Sequence, residues 1–251
     1  MRNALLVGLV VTLGWAASAG AQSLPLDGKL YVDVNALYQA ATRSVDQRGT
    51  LSLYGEDGTV EASQRIGAGA LWDVGFGYTV WRDLAVGLDI SQFSRHQTIS
   101  ATGTAPHPLF FNSPRAFSAE TSSSHKARTI AVLASWRFRT RGALEKLNVR
   151  VMGGPAALHV QQGLAADVTL TEGGFPYETV SASVATRTSS KNRVGFVGGV
   201  DVGYELLDNV GVGVLLRYAG GSAKLDEPLG GGTITVKAGG FQIGGGVRLK
   251  F

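Results

Sequence analysis

Eight stretches of this chain alternate residue by residue between two kinds of side chain. In the last, Phe241, Ile243, Val247, Leu249 and Phe251 share one face, with Gly245 the one gap, while Gln242, Arg248 and Lys250 take the other. Successive side chains of a strand point to opposite sides, so such a stretch is a strand lying between an apolar and a polar environment. The pattern recurs over about Lys29 to Ala40, Gln64 to Trp81, Leu84 to Ile90 and Lys126 to Arg139. It returns from Leu147, from Val194 to Leu206 and from Val210 to Tyr218. In the second stretch the apolar face reads Ile66, Ala68, Ala70, Trp72, Val74, Phe76, Tyr78 and Val80.

Composition decides what the two environments are. Only 17% of residues are charged and 35 are glycine, roughly twice the usual glycine share of about 7%. A soluble up-and-down barrel turns its apolar side chains inward, which would leave Gly, Asp and Arg as an outside with little bulk. Turning the apolar faces outward puts them in lipid. After residue 21 no apolar run approaches the roughly 20 residues of a transmembrane helix, so a membrane-embedded chain must span as a barrel.

The amino terminus reads as an export signal, with Arg2, an apolar stretch from Ala4 to Ala17 and the small residues Ala19-Gly20-Ala21. This predicts a cleaved segment, 1–21, and a mature barrel domain, 22–251. With no cysteine, a lipoprotein is excluded. The mature chain holds 22 basic against 19 acidic residues, too weak and dispersed an excess for nucleic acid.

Eight strands is an even number, as bacterial barrels require. Turns near residues 82, 142 and 208 are short, and the connections at about 41–63, 94–125, 161–192 and 219–233 are long. The expected fold is therefore all-β: a closed, antiparallel, up-and-down transmembrane barrel of eight strands with short periplasmic turns and long extracellular loops. Alternating stretches inside 161–192 read as a hairpin above the membrane. Two further spanning strands are the alternative, but their clean runs fall short of the roughly 9–11 residues needed. The last strand, roughly 33 Å long at about 3.3 Å per step, covers the apolar band of roughly 25 Å when tilted. Trp136, Phe138, Tyr204 and Phe251 are expected at the periplasmic aromatic girdle, and Tyr38, Trp72, Phe196, Tyr218 and Phe241 at the outer one.

These segments, and Gly245-Gly246-Val247-Arg248-Leu249-Lys250-Phe251 most specifically, resemble the small eight-stranded outer-membrane proteins of Gram-negative bacteria. That group includes the OmpA transmembrane domain, OmpX/Ail and OmpW. The resemblance implies an outer-membrane location, with lipid and lipopolysaccharide around the wall. It also implies that Phe241, Ile243, Val247, Leu249 and Phe251 form the terminal signal read by the barrel-assembly machinery. Leu53-Tyr54-Gly55-Glu56, the segment Pro106 to Asn112 and Arg217-Tyr218-Ala219-Gly220-Gly221 resemble phrases of uncharacterised outer-membrane β-barrel proteins. No peptidoglycan-binding domain follows Phe251, so cell-wall anchoring is not implied.

The inward faces carry Asp33, Asp73, Asp89, Asp201 and Glu205 with Arg137, Arg150, Arg217 and Arg248. An eight-stranded barrel is only wide enough for side chains to fill, and charges inside it must pair. The expectation is a salt-bridged plug and a surface-interaction or envelope-structural role for the loops. The alternative is a narrow conduit for ions or small, even apolar, solutes. No catalytic constellation is visible, so the chain does not read as an enzyme. No cofactor is indicated either. His96, His125 and His159 lie on neighbouring strands, but parity turns His125 inward and the other two outward, against a metal site. Leu109, Phe110 and Phe111 are unusually apolar for a loop, which suggests contact with a partner or a lid over the barrel mouth.

Overall fold

A computed structural model describes residues 29–140 and 145–251. The predicted export segment and the tip of the turn near residue 142 lie outside the described residues. Ten strands form one antiparallel sheet: β1 (Leu30–Gln39), β2 (Arg43–Leu53), β3 (Glu56–Ile66), β4 (Gly69–Trp81), β5 (Leu84–Ala105), β6 (Arg115–Arg139), β7 (Leu147–Glu172), β8 (Val180–Leu207), β9 (Val210–Asp226) and β10 (Thr233–Lys250). Eight of them close a ring, in the order β1-β4-β5-β6-β7-β8-β9-β10 and back to β1. Closure leaves the ring without an edge at the level where all eight strands pair. No helix among the described residues is long and apolar enough to cross a membrane.

The two strands outside the ring are the hairpin β2–β3, which occupies the predicted 41–63 connection. β3 pairs with the far half of β5, Ile99 to Thr104, above the point where β5 leaves β4 at Phe93. The extra pair thus heightens the wall and does not widen the ring. The 161–192 connection forms the hairpin expected of it, as β7 and β8 stay paired to Glu172↔Val180 with a one-residue register shift between Ala165 and Asp167.

The long connections are mostly strand. What hid them is a reversal of faces. On β5, Val86 and Leu88 are exposed and Asp89 is buried. Farther along the same strand Phe93, Ile99 and Ala101 are buried while Ser94 and His96 are exposed. β6 reverses likewise, from exposed Ile130 and Val132 to exposed Lys126 and Arg128. A strand leaving lipid for water must exchange its outer face, so the reversal marks the far edge of the belt. Below it, the exposed outer face includes Trp72, Phe76, Val202, Val214, Leu216 and Ile243. At the far edge the rings of Phe196, Tyr218 and Phe241 touch, with centroids 5.7 and 5.1 Å apart.

One expected segment is corrected. Gln64 to Trp81 is two strands, broken at Gly67-Ala68. Ile66 is therefore 3% exposed inside the wall while Trp72, of the same parity, is 43% exposed outside. The break resets the alternation that a continuous reading carries through. Pro155 behaves as a residue without an N–H should: β6–β7 pairing lapses between Ala131↔Ala156 and Ala134↔Gly153.

Candidate functional site

Two structures inside this wall are candidates for function: the charge network at belt level and the crown of hairpin tips at the far end. Pleat parity places the first. Asp33, Asp73, Asp89, Arg150, Asp201, Arg217 and Arg248 all point inward and are all buried. Arg150 binds both Asp33 and Asp201, the latter at 2.9 Å, and stacks 4.5 Å above the Tyr31 ring. Arg248 grips Asp201 through Nη2 at 2.5 Å. Arg217 holds Asp73 at 2.5 Å and Asp89 at 2.8 Å. Asn35 joins the two groups, donating to Asp73 at 2.6 Å and accepting from Arg248 at 2.6 Å. Gln242 accepts from Arg217 at 2.6 Å and donates to Gln39 at 3.0 Å, extending the network toward the far end.

Two predicted members stand apart. Arg137 forms no ion pair among the described residues and lines a cavity of about 30 Å³ at the turn end. Glu205 pairs with Lys250, not with a core arginine. Both lie near strand ends, away from the buried Asp–Arg pairs. A second cavity, about 20 Å³, lies beside Asp33, Asp89 and Arg150. Each has room for only about one or two water-sized molecules.

The crown is built by one arginine. Arg115, 7% exposed, opens β6 where the chain returns from the β5–β6 tip. Its guanidinium pairs with Glu172 at the end of β7 and donates to the Tyr177 carbonyl at 2.8 Å and the Pro106 carbonyl at 2.6 Å. Tyr54 at the β2–β3 tip donates to the same Glu172 at 3.0 Å. The Asn112 N–H donates to Glu56 at 2.8 Å. Three tips distant in sequence are thus tied through Arg115 and Glu172. The hydrogen bond from Arg115 holds the Glu172 carboxyl below the usual glutamate range. The bond to Glu172 in turn pushes the Tyr54 phenol up.

Leu109, Phe110 and Phe111 sit on this frame, 53%, 57% and 77% exposed. All three are exposed, and the Phe110 ring leans on His107 with centroids 4.9 Å apart. Buried His107 fixes their backbone, its Nδ1 accepting from the N–H groups of Leu109 and Phe110 at 3.1 and 3.2 Å. Phe175, 81% exposed, and Tyr54, 48%, add to the apolar surface. Tyr54, Asn112 and Tyr177 all have positive φ, 54°, 54° and 69°, a conformation uncommon for residues other than glycine. Sequence reasoning found the three apolar residues but missed Arg115 and Glu172, whose 57-residue separation leaves no local signal. His125 points inward to Gln162 at 2.7 Å, while His159 binds Asn192 at 2.5 Å on the outer face. Among the described residues no group of three or more His, Cys, Asp or Glu is placed to hold a metal.

The ring and its outward apolar belt define a small transmembrane β-barrel. In sequence, the chain matches no protein-family model and no curated protein. In structure it is similar to Neisserial surface protein A at 14% identity, over 88% of this chain and 97% of that one, with a TM-score of 0.44. It is similar to the outer membrane protein AlkL at 13% identity, over 89% and 90%, with a TM-score of 0.43. It is likewise similar to the Escherichia coli outer membrane protease OmpT at 10% identity, over 89% and 97%, with a TM-score of 0.42. None of these likenesses bears on what the chain does.

Proposed function

We propose that the protein is a non-enzymatic outer-membrane barrel, closed to flow at belt level, that works by contact through its crown. The observation that carries this reading is the Arg115–Glu172 tie. It holds Leu109, Phe110, Phe111, Phe175 and Tyr54 in the water-exposed position where apolar side chains mark an interaction surface. A preorganised surface loses less freedom on binding than mobile loops do. The paired charges and the small cavities support a plug over a conduit. Outer-membrane lipid and lipopolysaccharide suit the apolar belt, and the outer face of β10 suits recognition by the assembly machinery.

The test pairs two measurements on the full-length protein in lipid. Binding of barrel-bearing vesicles to cell surfaces and to lipopolysaccharide is compared with that of Phe110→Ser/Phe111→Ser. The expected result is a loss of at least about tenfold with heat-modifiable gel mobility unchanged. Equal binding by the variant overturns the crown reading. Reproducible single-channel conductance overturns the plug and favours the narrow-conduit alternative.

A further inference from the structure

The far halves of β9 and β10 form a two-stranded ribbon without a backbone ladder to the wall on either side. β8 and β9 pair only as far as Phe196↔Gly220, so Gly221–Asp226 continues without β8. β1 and β10 pair only as far as Gln39↔Gln242. One more backbone bond follows, from the Ala40 N–H to the Phe241 carbonyl at 3.1 Å, and beyond it, among the described residues, the polar ties run through side chains. Arg43 donates to the Lys237 and Gly239 carbonyls, both at 2.6 Å. Glu227 accepts from the Arg48 N–H at 3.3 Å, and Lys191 meets Asp226 at 3.6 Å.

The base of the ribbon is glycine on both strands. Gly220 and Gly221 on β9 face Gly239 and Ala238 on β10, and Gly240 follows. Gly239 and Gly240 have φ of +82° and +132°. A Cβ on Gly239 would lie 2.1 Å from the Ala219 carbonyl, so only glycine makes this bend. Beyond it the ribbon's inner face packs Ala223, Leu225, Val236 and Ala238 against Leu37, Val45, Leu158, Val160 and Leu164. Its tip lays Leu229 beside Gly49.

Departure of β9 leaves Val180–Gly195 of β8 as a free strand edge, largely exposed. A free edge is a template for another strand, and β9 is already paired to β8 up to Gly220. We infer that the ribbon is a gate with two seats. In the first, shown here, its apolar face fills the far interior. In the second it straightens at the glycine base and β9 completes the ladder with β8. Extending the Phe196↔Gly220 register places Lys224 opposite Asn192 and Asp226 opposite Ser190. An isolated two-stranded ribbon is marginally stable, so the packing beneath it and the Arg43 latch choose the seat. Opening exposes the far interior and leaves the Asp–Arg network below it closed. This inference does not rest on the crown.

The chain has no cysteine, so disulfide trapping is clean. In the full-length protein in lipid, Asn192→Cys/Lys224→Cys reports the open seat. Gly49→Cys/Leu229→Cys reports the tucked one, since a Cβ on Gly49 lies 2.9 Å from Leu229 Cγ. Intramolecular 192–224 bonds should form under mild oxidation, at least about tenfold faster when Arg43→Ala removes the two latch hydrogen bonds. If Arg43→Ala fails to fold, as read by gel mobility, Glu227→Ala removes the acceptor of the Arg48 N–H and weakens the latch instead. No 192–224 bond in the time the 49–229 bond completes means a fixed plug and overturns the proposal. A 192–224 rate unmoved by every folded latch variant also overturns it. So do 192–224 bonds found only between two copies, which would give the β8 edge to a neighbouring molecule.

Discussion

Arg217→Met tests the belt-level network at its most enclosed point. Arg217 is 2% exposed and satisfies Asp73, Asp89 and Gln242 at once. Methionine keeps much of the volume and removes the charge, leaving Asp73, 1% exposed, and Asp89, 4% exposed, facing each other without a cation. Breaking a buried pair from one side costs about 3–5 kcal/mol, or roughly two to four powers of ten in the folding equilibrium. Urea unfolding in lipid vesicles, followed by heat-modifiable mobility and tryptophan fluorescence, measures it. Adding Asp73→Asn and Asp89→Asn to the methionine variant should recover most of the loss, because the penalty belongs to the stranded carboxylates and not to the lost attraction. A single variant within about 1 kcal/mol of the parent refutes the network as a structural plug. A triple variant as damaged as the single one refutes the explanation by stranded charge.

Two further outcomes follow from the wall and the crown. Val214→Arg, at the outer face of the belt, should cost about 2–4 kcal/mol. Ser222→Arg on the same strand, beyond the face reversal, should lie within about 0.5 kcal/mol of the parent in the same unfolding assay; equal costs would displace the belt. Acid should loosen the crown. Glu172 has its folded value depressed by Arg115, so its stabilisation is present above the ordinary glutamate range of about 4.3. It fades as the pH falls through the folded value. Protease nicking at the β5–β6 and β7–β8 tips should therefore rise at strongly acidic pH in the parent, and already at neutral pH in Arg115→Gln.

The ring was legible because each spanning strand meets lipid on one face and side chains on the other, and that contrast is written residue by residue. Ile66 shows where such reading stops. It shares parity with Trp72, yet the break at Gly67-Ala68 puts it inside. The far walls were illegible as strands for a related reason. Ser94, His96 and Lys126 face out in water while Phe93, Ile99 and Leu158 face in. A search for apolar-out alternation finds nothing there, although a strand of inverted faces continues. Arg217 and Asp73 were legible as inward charges, but their pairing is a matter of barrel closure across 144 residues. Arg115 carried no signal, because it and Glu172 tie together three tips that only the folded wall assembles.

The reversal of faces also explains why the interior has two layers. Where the outside is lipid, the outer positions take the apolar residues, and the narrow interior holds Asp33, Arg150, Asp201 and Arg248 in mutual neutralisation. Where the outside is water, the polar residues move outward and Leu158, Val160, Leu225 and Val236 become an ordinary buried core. A charge network is directional and breaks at a cost of several kcal/mol. An apolar core is non-directional and accepts a shifted partner at smaller cost. On this contrast the ionic layer is the harder of the two to open and the apolar one the easier to shift. The glycine bend of Gly220, Gly221, Gly239 and Gly240 lies above the Gln39–Gln242 hydrogen bond that caps the charge network and below the buried Ala223, Leu225, Val236 and Ala238.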